Sequence, residues 1–157
     1  MSVMVSPSGT RGVSYPIPRR LMALLARIPV ALQRLSRGRL KMHGHPLLLL
    51  TTVGARTGQP RTSMVSQFPN SDGSKLIVAS FGGAAKHPAW YFNLAKHPGH
   101  VFIEQNGSRI RVQATSLAGE EREAAWQRIV RVAPGFAEYQ RKTDREIPVV
   151  RLVRSAS

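Results

Sequence analysis

The sequence predicts an α+β domain: a small, mostly antiparallel barrel of about six strands with flanking helices. Three observations carry this. Strand candidates follow one another through tight turns, as antiparallel pairing allows. Helical stretches fall before, between and after those strands rather than alternating with each one. The chain has 157 residues, one domain's worth, so the strands must share a single core.

The elements follow in order. Residues 1–17 are rich in Ser, Gly and Pro and read as a flexible tail. Pro18 opens a helical stretch reaching Ser36, because proline suits a first helical position. Leu21, Leu24, Leu25, Ile28, Leu32 and Leu35 share one face, and Arg20, Arg27 and Arg34 form a stripe beside it. Pro29 is expected to kink or split the helix, and Gly38 ends it. Residues 18–44 thus form a basic amphipathic segment with two readings. It packs its leucines on the core, or it lies on an anionic membrane surface, which acid-free arginines suit.

Residues 45–157 hold the barrel. Leu47–Val53 is a buried strand, Gly54–Pro60 a turn, and Arg61–Phe68 the returning strand. Pro69–Gly73 turns into a strand over Lys75–Ser80. Gly82–Ala85 is a loop, and His87–Lys96 a short helix. Val101–Gln105 and Ser108–Ser116 form a hairpin, since Asn106-Gly107 favours a type I′ turn. Gly119–Val132 is a helix with Glu120, Glu121 and Glu123 in its first turn. Pro134–Thr143 is a second short helix, and Ile147–Val153 the last strand.

Charge narrows the function classes. Lys and Arg number 23 against 8 acids, a formal +15. The first acid is Asp72, so the front half is the part that faces an anion. Without cysteine there is no disulfide, thiolate metal site or cysteine nucleophile. His43/His45 and His97/His100 lack a third ligand, so no metal site is expected. No G-x-S-x-G is present, which disfavours a hydrolase. No apolar run is long enough to span a membrane and no secretory signal begins the chain. These point to a cytoplasmic protein, with a peripheral contact at the inner face of the cell membrane.

Two segments carry the chemistry. Gly54-Ala55-Arg56-Thr57-Gly58-Gln59-Pro60-Arg61 puts two arginines and free N–H groups on one turn, an anion site or simply a basic hairpin turn. Ala79–Asn93 holds the pair Gly82-Gly83 and the cluster Trp90-Tyr91-Phe92. It is a wall for a flat ligand, or a helix burying Trp90.

Together they resemble the deazaflavin-dependent nitroreductase family of actinobacteria, oxidoreductases with a split β-barrel related to the flavin-binding ones. The likeness covers roughly residues 45–154. It rests on Leu49–Gly58, Gln59-Pro60-Arg61, Gly82–Leu94 and the tail Tyr139-Gln140-x-x-Thr143-Asp144-Arg145-x-Ile147-Pro148. The resemblance implies coenzyme F-420, an 8-hydroxy-5-deazaflavin with a phosphate and an oligoglutamate tail. Arg56 and Arg61 would grip those anions, with backbone contacts from Ala55 and Thr57. Thr62, Ser63, Met64, Val65 and Ser66 would run along the cofactor. Ala79, Ser80, Gly82 and Gly83 would pass beside its ring. Lys86, Trp90, Tyr91 and Asn93 would close the phosphate end, and Phe136 would lie at the substrate face.

The implied reaction is hydride transfer from the reduced coenzyme to a planar organic acceptor such as a quinone or nitroaromatic. The catalytic candidates are Tyr139 as proton donor, with Ser80 and Ser66. Ser66, Ala133 and Phe136 stand where the best-known nitroreductase of the family has tyrosines, and Phe81 stands in place of a lysine. This less polar pocket suits an apolar, quinone-like acceptor better than a nitroimidazole. The alternatives are an enzyme of the same barrel class using flavin mononucleotide (FMN), and a non-catalytic carrier. A nucleic-acid-binding module would explain the charge but lacks its motifs, so no nucleic-acid partner is expected. The oligomeric state is left open.

Overall fold

The computed structural model describes residues 2–156, so Met1 and Ser157, the outer ends of the expected tail and barrel domain, lie outside it. Seven strands form one antiparallel sheet. They are β1 (Lys41–Met42), β2 (His45–Val53), β3 (Pro60–Pro69), β4 (Lys75–Val78), β5 (Phe102–Gln105), β6 (Ser108–Ser116) and β7 (Val149–Arg154). Their order is β1-β2-β3-β4-β7-β6-β5, and β5 pairs back onto β2. Six strands therefore close into a barrel, with β1 as an extra edge. Leu50 shows the closure: it pairs with Ser63 on one side and Ile103 on the other. Closure leaves these six strands no free edge.

Alternation along each strand gives the barrel two apolar layers. Leu48, Leu50, Val65, Ile77, Ile103, Val112, Val150 and Leu152 fill the interior. Phe68, Leu76, Val78 and Val149 point outward. They meet Trp126, Ile129 and Ala133 from α4 (Gly119–Val132) and its junction with α5 (Gly135–Lys142). Helix α3 (Ala89–Lys96) seats Trp90, Tyr91 and Leu94 against the interior cluster. Each large apolar side chain fully buried contributes roughly 1.5–3 kcal/mol.

The N-terminal helix is split, as Pro29 requires. α1 (Arg19–Leu25) ends one turn before it, and α2 (Arg27–Leu35) carries it in its first turn. Proline cannot donate to Leu25, and its ring crowds that carbonyl. The leucines do not pack on the core. Leu21, Leu24, Leu25, Ile28, Leu32 and Leu35 are all exposed, and α2 buries Val30 and Gln33 instead. Gln33 ties the helix to the sheet, donating to the Leu47 carbonyl at 3.0 Å and accepting from the Leu40 N–H at 3.2 Å. The arginine stripe is interrupted as well, since Arg34 pairs with Glu104 at 3.0 Å. The 18–44 segment also runs beyond helix, because residues 41–42 join the sheet.

The largest departure is residues 2–17. The expected tail is a strap laid along the molecule. Val13 bridges Ala84 in parallel, and the Gly9 N–H donates to the Ala85 carbonyl at 2.8 Å. Val3 is buried in the interior cluster, and the Tyr91 hydroxyl donates to the Met4 carbonyl at 2.8 Å. Asp144 clasps the strap by accepting from the N–H groups of Thr10 and Arg11, each at 2.9 Å, and from the Thr10 hydroxyl. These bonds hold the Asp144 carboxyl down to about 2, the Thr10 hydroxyl contributing most. Gly9 and Gly12 have no space for a side chain against Asp144 and the Ala84–Ala85 backbone. The Ser/Gly composition that reads as flexible here serves close backbone approach.

Candidate active site

The basic turn between β2 and β3 is a closed frame. The Gly54 N–H donates to the Gln59 carbonyl at 2.8 Å, and the Gly58 N–H to the Gly54 carbonyl at 2.9 Å. A side chain at Gly54 would strike the Thr57 hydroxyl, and Gly58 has a positive φ of 66°. Asn93 of α3 braces the turn from below. Its Oδ1 accepts the Ala55 N–H at 2.9 Å, and its Nδ2 donates to the Thr52 hydroxyl at 3.0 Å. Buried at 6% exposure, Asn93 positions the turn rather than lining it. Arg56 and Arg61 stand exposed on this frame and join no ion pair among the described residues. Two cations on a braced turn, without carboxylate partners among the described residues, have the chemistry that a phosphate suits.

From the turn, β3 leads along the barrel. Its alternation halves the predicted set. Val65 lies in the interior, and Ser63 shares its face, so neither side chain lines a groove on the outer surface. Thr62, Met64 and Ser66 occupy the outward face, half-buried, in register with Thr51, Leu49 and Leu47. Thr62 and Thr51 share a hydroxyl–hydroxyl bond at 3.0 Å.

Beyond β4 the chain enters a tight 3-10 turn, Phe81–Gly83. Ala79 is fully buried, while Ser80 is half-buried and Phe81 is 37% exposed. Phe81, Gly82 and Gly83 take positive φ values of 45°, 60° and 84° in succession. At Phe81 this is a strained conformation for a bulky residue. α5 lies across the turn: a side chain at Gly83 would meet the Tyr139 carbonyl and the Lys142 side chain. Tyr139 is half-buried there, edge-on to Phe136 at 5.7 Å, and its hydroxyl bonds no described residue. Phe136 packs in turn against Phe68 at 5.6 Å. Lys86 is exposed beyond the turn. Trp90 and Tyr91 are 7% and 1% exposed, and their side chains belong to the interior cluster.

Arg145, in the Thr143-Asp144-Arg145 tail motif, sits behind the same turn. It is 3% exposed and has no carboxylate partner among the described residues. Its Nε donates to the Ala84 carbonyl at 2.8 Å, Nη1 to Ala79 at 3.1 Å and Nη2 to Ser80 at 2.7 Å. Nη1 also meets Nδ1 of His87 at 3.1 Å. An arginine can only donate, so Nδ1 accepts and Nε2–H of His87 donates to the Ser6 carbonyl at 2.8 Å. Burial, with the nearby guanidinium, pulls His87 below its ordinary value and keeps it neutral. Asp144, Thr10 and Tyr15 also lay outside the predicted set. Tyr15 stacks on Phe81 at 5.4 Å and covers Gly82.

The set fits an elongated anion: exposed arginines without an ion pair at one end and a half-exposed strand face leading away from them, toward a turn whose glycines are covered by Tyr15 and α5. Two cavities of about 360 and 420 Å³ lie at the other end of the barrel, near the β3–β4 and β5–β6 turns. They share no residue with this set. No cluster of metal-binding side chains occurs among the described residues.

Comparison with known proteins gives this arrangement its context. Residues 25–154 match the family model of the F420H2-dependent quinone reductases. An F420H2-dependent quinone reductase of Mycobacterium tuberculosis is 36% identical over 151 residues, covering 90% of this chain and 98% of that protein. A solved F420-H2 dependent reductase aligns with a TM-score of 0.60 and 40% identity, over 69% of this chain and 94% of its own. A second solved chain, described as a domain-swapped dimer, aligns with a TM-score of 0.62 and 34% identity, over 83% and 99%.

Proposed function

The chain belongs to the F420H2-dependent quinone reductase family, and from that premise we propose how its residues carry the activity. It is an oxidoreductase that uses reduced coenzyme F-420 to reduce a planar organic acceptor, for which a quinone is the family's type. The observation that carries the site assignment is the Asn93-braced turn with Arg56 and Arg61 exposed and unpaired. The coenzyme's phosphate and carboxylate tail would sit there. Its ring would lie along the outward face of Thr62, Met64 and Ser66, toward the Ala79–Gly83 turn, with Lys86 at the anionic end. When bound, the reduced ring supplies the hydride.

The chain's own task is to hold the ring and acceptor face to face, exclude water and deliver a proton. Tyr139 is the proton donor in this reading, because its hydroxyl bonds no described residue and the backbone of α5 at Tyr139 lies against the turn. Ser66 and Ser80 are the other candidate donors, the Thr62 hydroxyl on the same face being bonded to Thr51. Phe136 and Phe81 add apolar surface, which favours a quinone over a nitroaromatic acceptor. Fluorescence titration with coenzyme F-420 tests the site: wild type binds, and Arg56→Ala binds about tenfold or more weakly. Equal affinity would remove the turn from the site. Tighter binding of FMN than of coenzyme F-420 would favour the flavin alternative.

A second observation supports a membrane contact. No described helix is long and apolar enough to cross a membrane. Leu21, Leu24, Leu25, Ile28, Leu32 and Leu35 are nonetheless exposed together, beside Arg19, Arg20 and Arg27, with no acid before Asp72. Such a face suits the surface of an anionic bilayer, where an apolar acceptor dissolves. Cosedimentation with anionic but not zwitterionic vesicles, lost in Leu24→Glu/Ile28→Glu, is the expected result.

A further inference from the structure

The backbone of the Ala79–Ala85 loop divides its polar groups unevenly. All of the carbonyls but that of Gly82 are taken. Ala79, Ser80 and Ala84 bond Arg145, Phe81 bonds the Ala84 N–H, Gly83 bonds Val13, and Ala85 bonds Gly9. The N–H groups of Ala79, Gly83 and Ala84 are also taken, by Pro148, Ser80 and Phe81. The N–H groups of Ser80, Phe81 and Gly82 have no partner among the described residues. They are three successive donors on a half-exposed turn, left to water or to a ligand.

Their geometry has a direction. Ser80 is right-handed helical at φ −74°, ψ −40°, and Phe81 is left-handed at φ 45°. A right-handed residue followed by a left-handed one curls successive N–H groups into a concavity that takes a negative atom. In each peptide the N–H points opposite to the C=O. By drawing the Ala79 and Ser80 carbonyls inward, Arg145 turns the Ser80 and Phe81 N–H groups the other way. A buried guanidinium without a carboxylate also puts uncompensated positive charge behind the same peptides. Such a cation is costly to bury, and neither the barrel's closure nor its apolar layers require it.

We propose that Arg145 is the positioning residue of the ring end. It holds the 79–84 loop so that the N–H groups of Ser80, Phe81 and Gly82 form a nest for the electron-rich oxygen edge of the coenzyme's ring. The site thus has two anion-accepting ends of different construction: arginine side chains for the phosphate and tail, and backbone donors backed by a buried arginine for the ring. The strap belongs to the second end, because Val13 and Gly9 take the Gly83 and Ala85 carbonyls that Arg145 does not reach. The strained φ of Phe81 follows as well, since a left-handed residue there is what closes the nest.

The inference rests on the coenzyme lying along this face, and the test separates the two. Ser80 already has the φ of a proline, so Ser80→Pro deletes one nest N–H at the native angle. Ser80→Ala, which keeps the N–H, is its control. Binding is read by fluorescence with the whole coenzyme and with the deazaflavin riboside lacking phosphate and tail. Ser80→Pro and Arg145→Lys should weaken both ligands by about tenfold relative to Ser80→Ala. Arg56→Ala should weaken only the whole coenzyme. Should Ser80→Pro not fold, amide exchange of the wild type decides: the coenzyme should protect the amides of Ser80, Phe81 and Gly82. If Arg56→Ala acts as expected while Ser80→Pro binds like Ser80→Ala, or those amides gain no protection, the nest is overturned. If Arg56→Ala also leaves binding unchanged, the site reading fails and takes the nest with it.

Discussion

Arg145 and Arg56 are the same side chain in opposite circumstances. Arg145 is 3% exposed and holds three backbone carbonyls and a histidine nitrogen. Arg56 is exposed on a glycine-framed turn and pairs with no acid among the described residues. A buried guanidinium must be satisfied from within the fold, so its donors shape backbone. An exposed one is satisfied by water until an anion arrives, so its donors remain free for a ligand. Removing the first should damage the protein, and removing the second should damage only what it binds.

The sharpest way to break that contrast is Arg145→Met. It leaves the carbonyls of Ala79, Ser80 and Ala84 without their donor, and should cost about 3–5 kcal/mol in urea denaturation. A loss under about 1 kcal/mol would mean that the loop holds itself. Asn93→Ala falls between the two arginines. It strips the brace from the Ala55 N–H and the Thr52 hydroxyl, and should cost roughly 1–3 kcal/mol while also weakening coenzyme binding. Stability loss with unchanged affinity would separate Asn93 from the site.

Arg56→Ala should move stability by no more than about 0.5 kcal/mol while binding falls as stated above. A large shift in melting temperature would erase the contrast with Arg145. The smallest effect is in pH. The folded value of His87 lies below its ordinary 6.5, so its contribution is complete above that pH. It is lost as pH falls from 6.5 toward the folded value, where the ring must take a proton facing Arg145. Asp144, held to about 2 against the usual 3.8, keeps its contribution down to about pH 4 and loses it below. Between pH 7 and 5 a modest fall in melting temperature is therefore expected, and it should vanish in His87→Gln. A fall of equal size in His87→Gln would assign it elsewhere.

Much of the fold was legible because strands and turns are local. Asn106-Gly107 turns where it was read to turn, and Gly119–Val132 is the helix its charges suggest. The site was legible in part. The turn at Gly54–Arg61 announces itself by two glycines and two arginines, but its brace, Asn93, is 38 residues beyond Ala55. Period-two alternation along β3 was available in the sequence and would have removed Ser63 and Val65 as lining side chains. Trp90 and Tyr91 follow the other reading of their segment: hydrophobic burial takes these two rings into the interior cluster.

The sequence by itself determined the order of strands and helices, the split at Pro29, the acid-free basic front half and the anion-ready turn. These follow from backbone dihedrals, periodicity and charge, which act over a few residues. Tertiary structure decided the rest. It laid the Ser/Gly tail down as a strap, turned the leucine face of α1 and α2 outward, and sent Arg145 inward across 61 residues to Ala84. Each of these depends on which distant carbonyl or apolar surface stands opposite, and only closure of the barrel settles that.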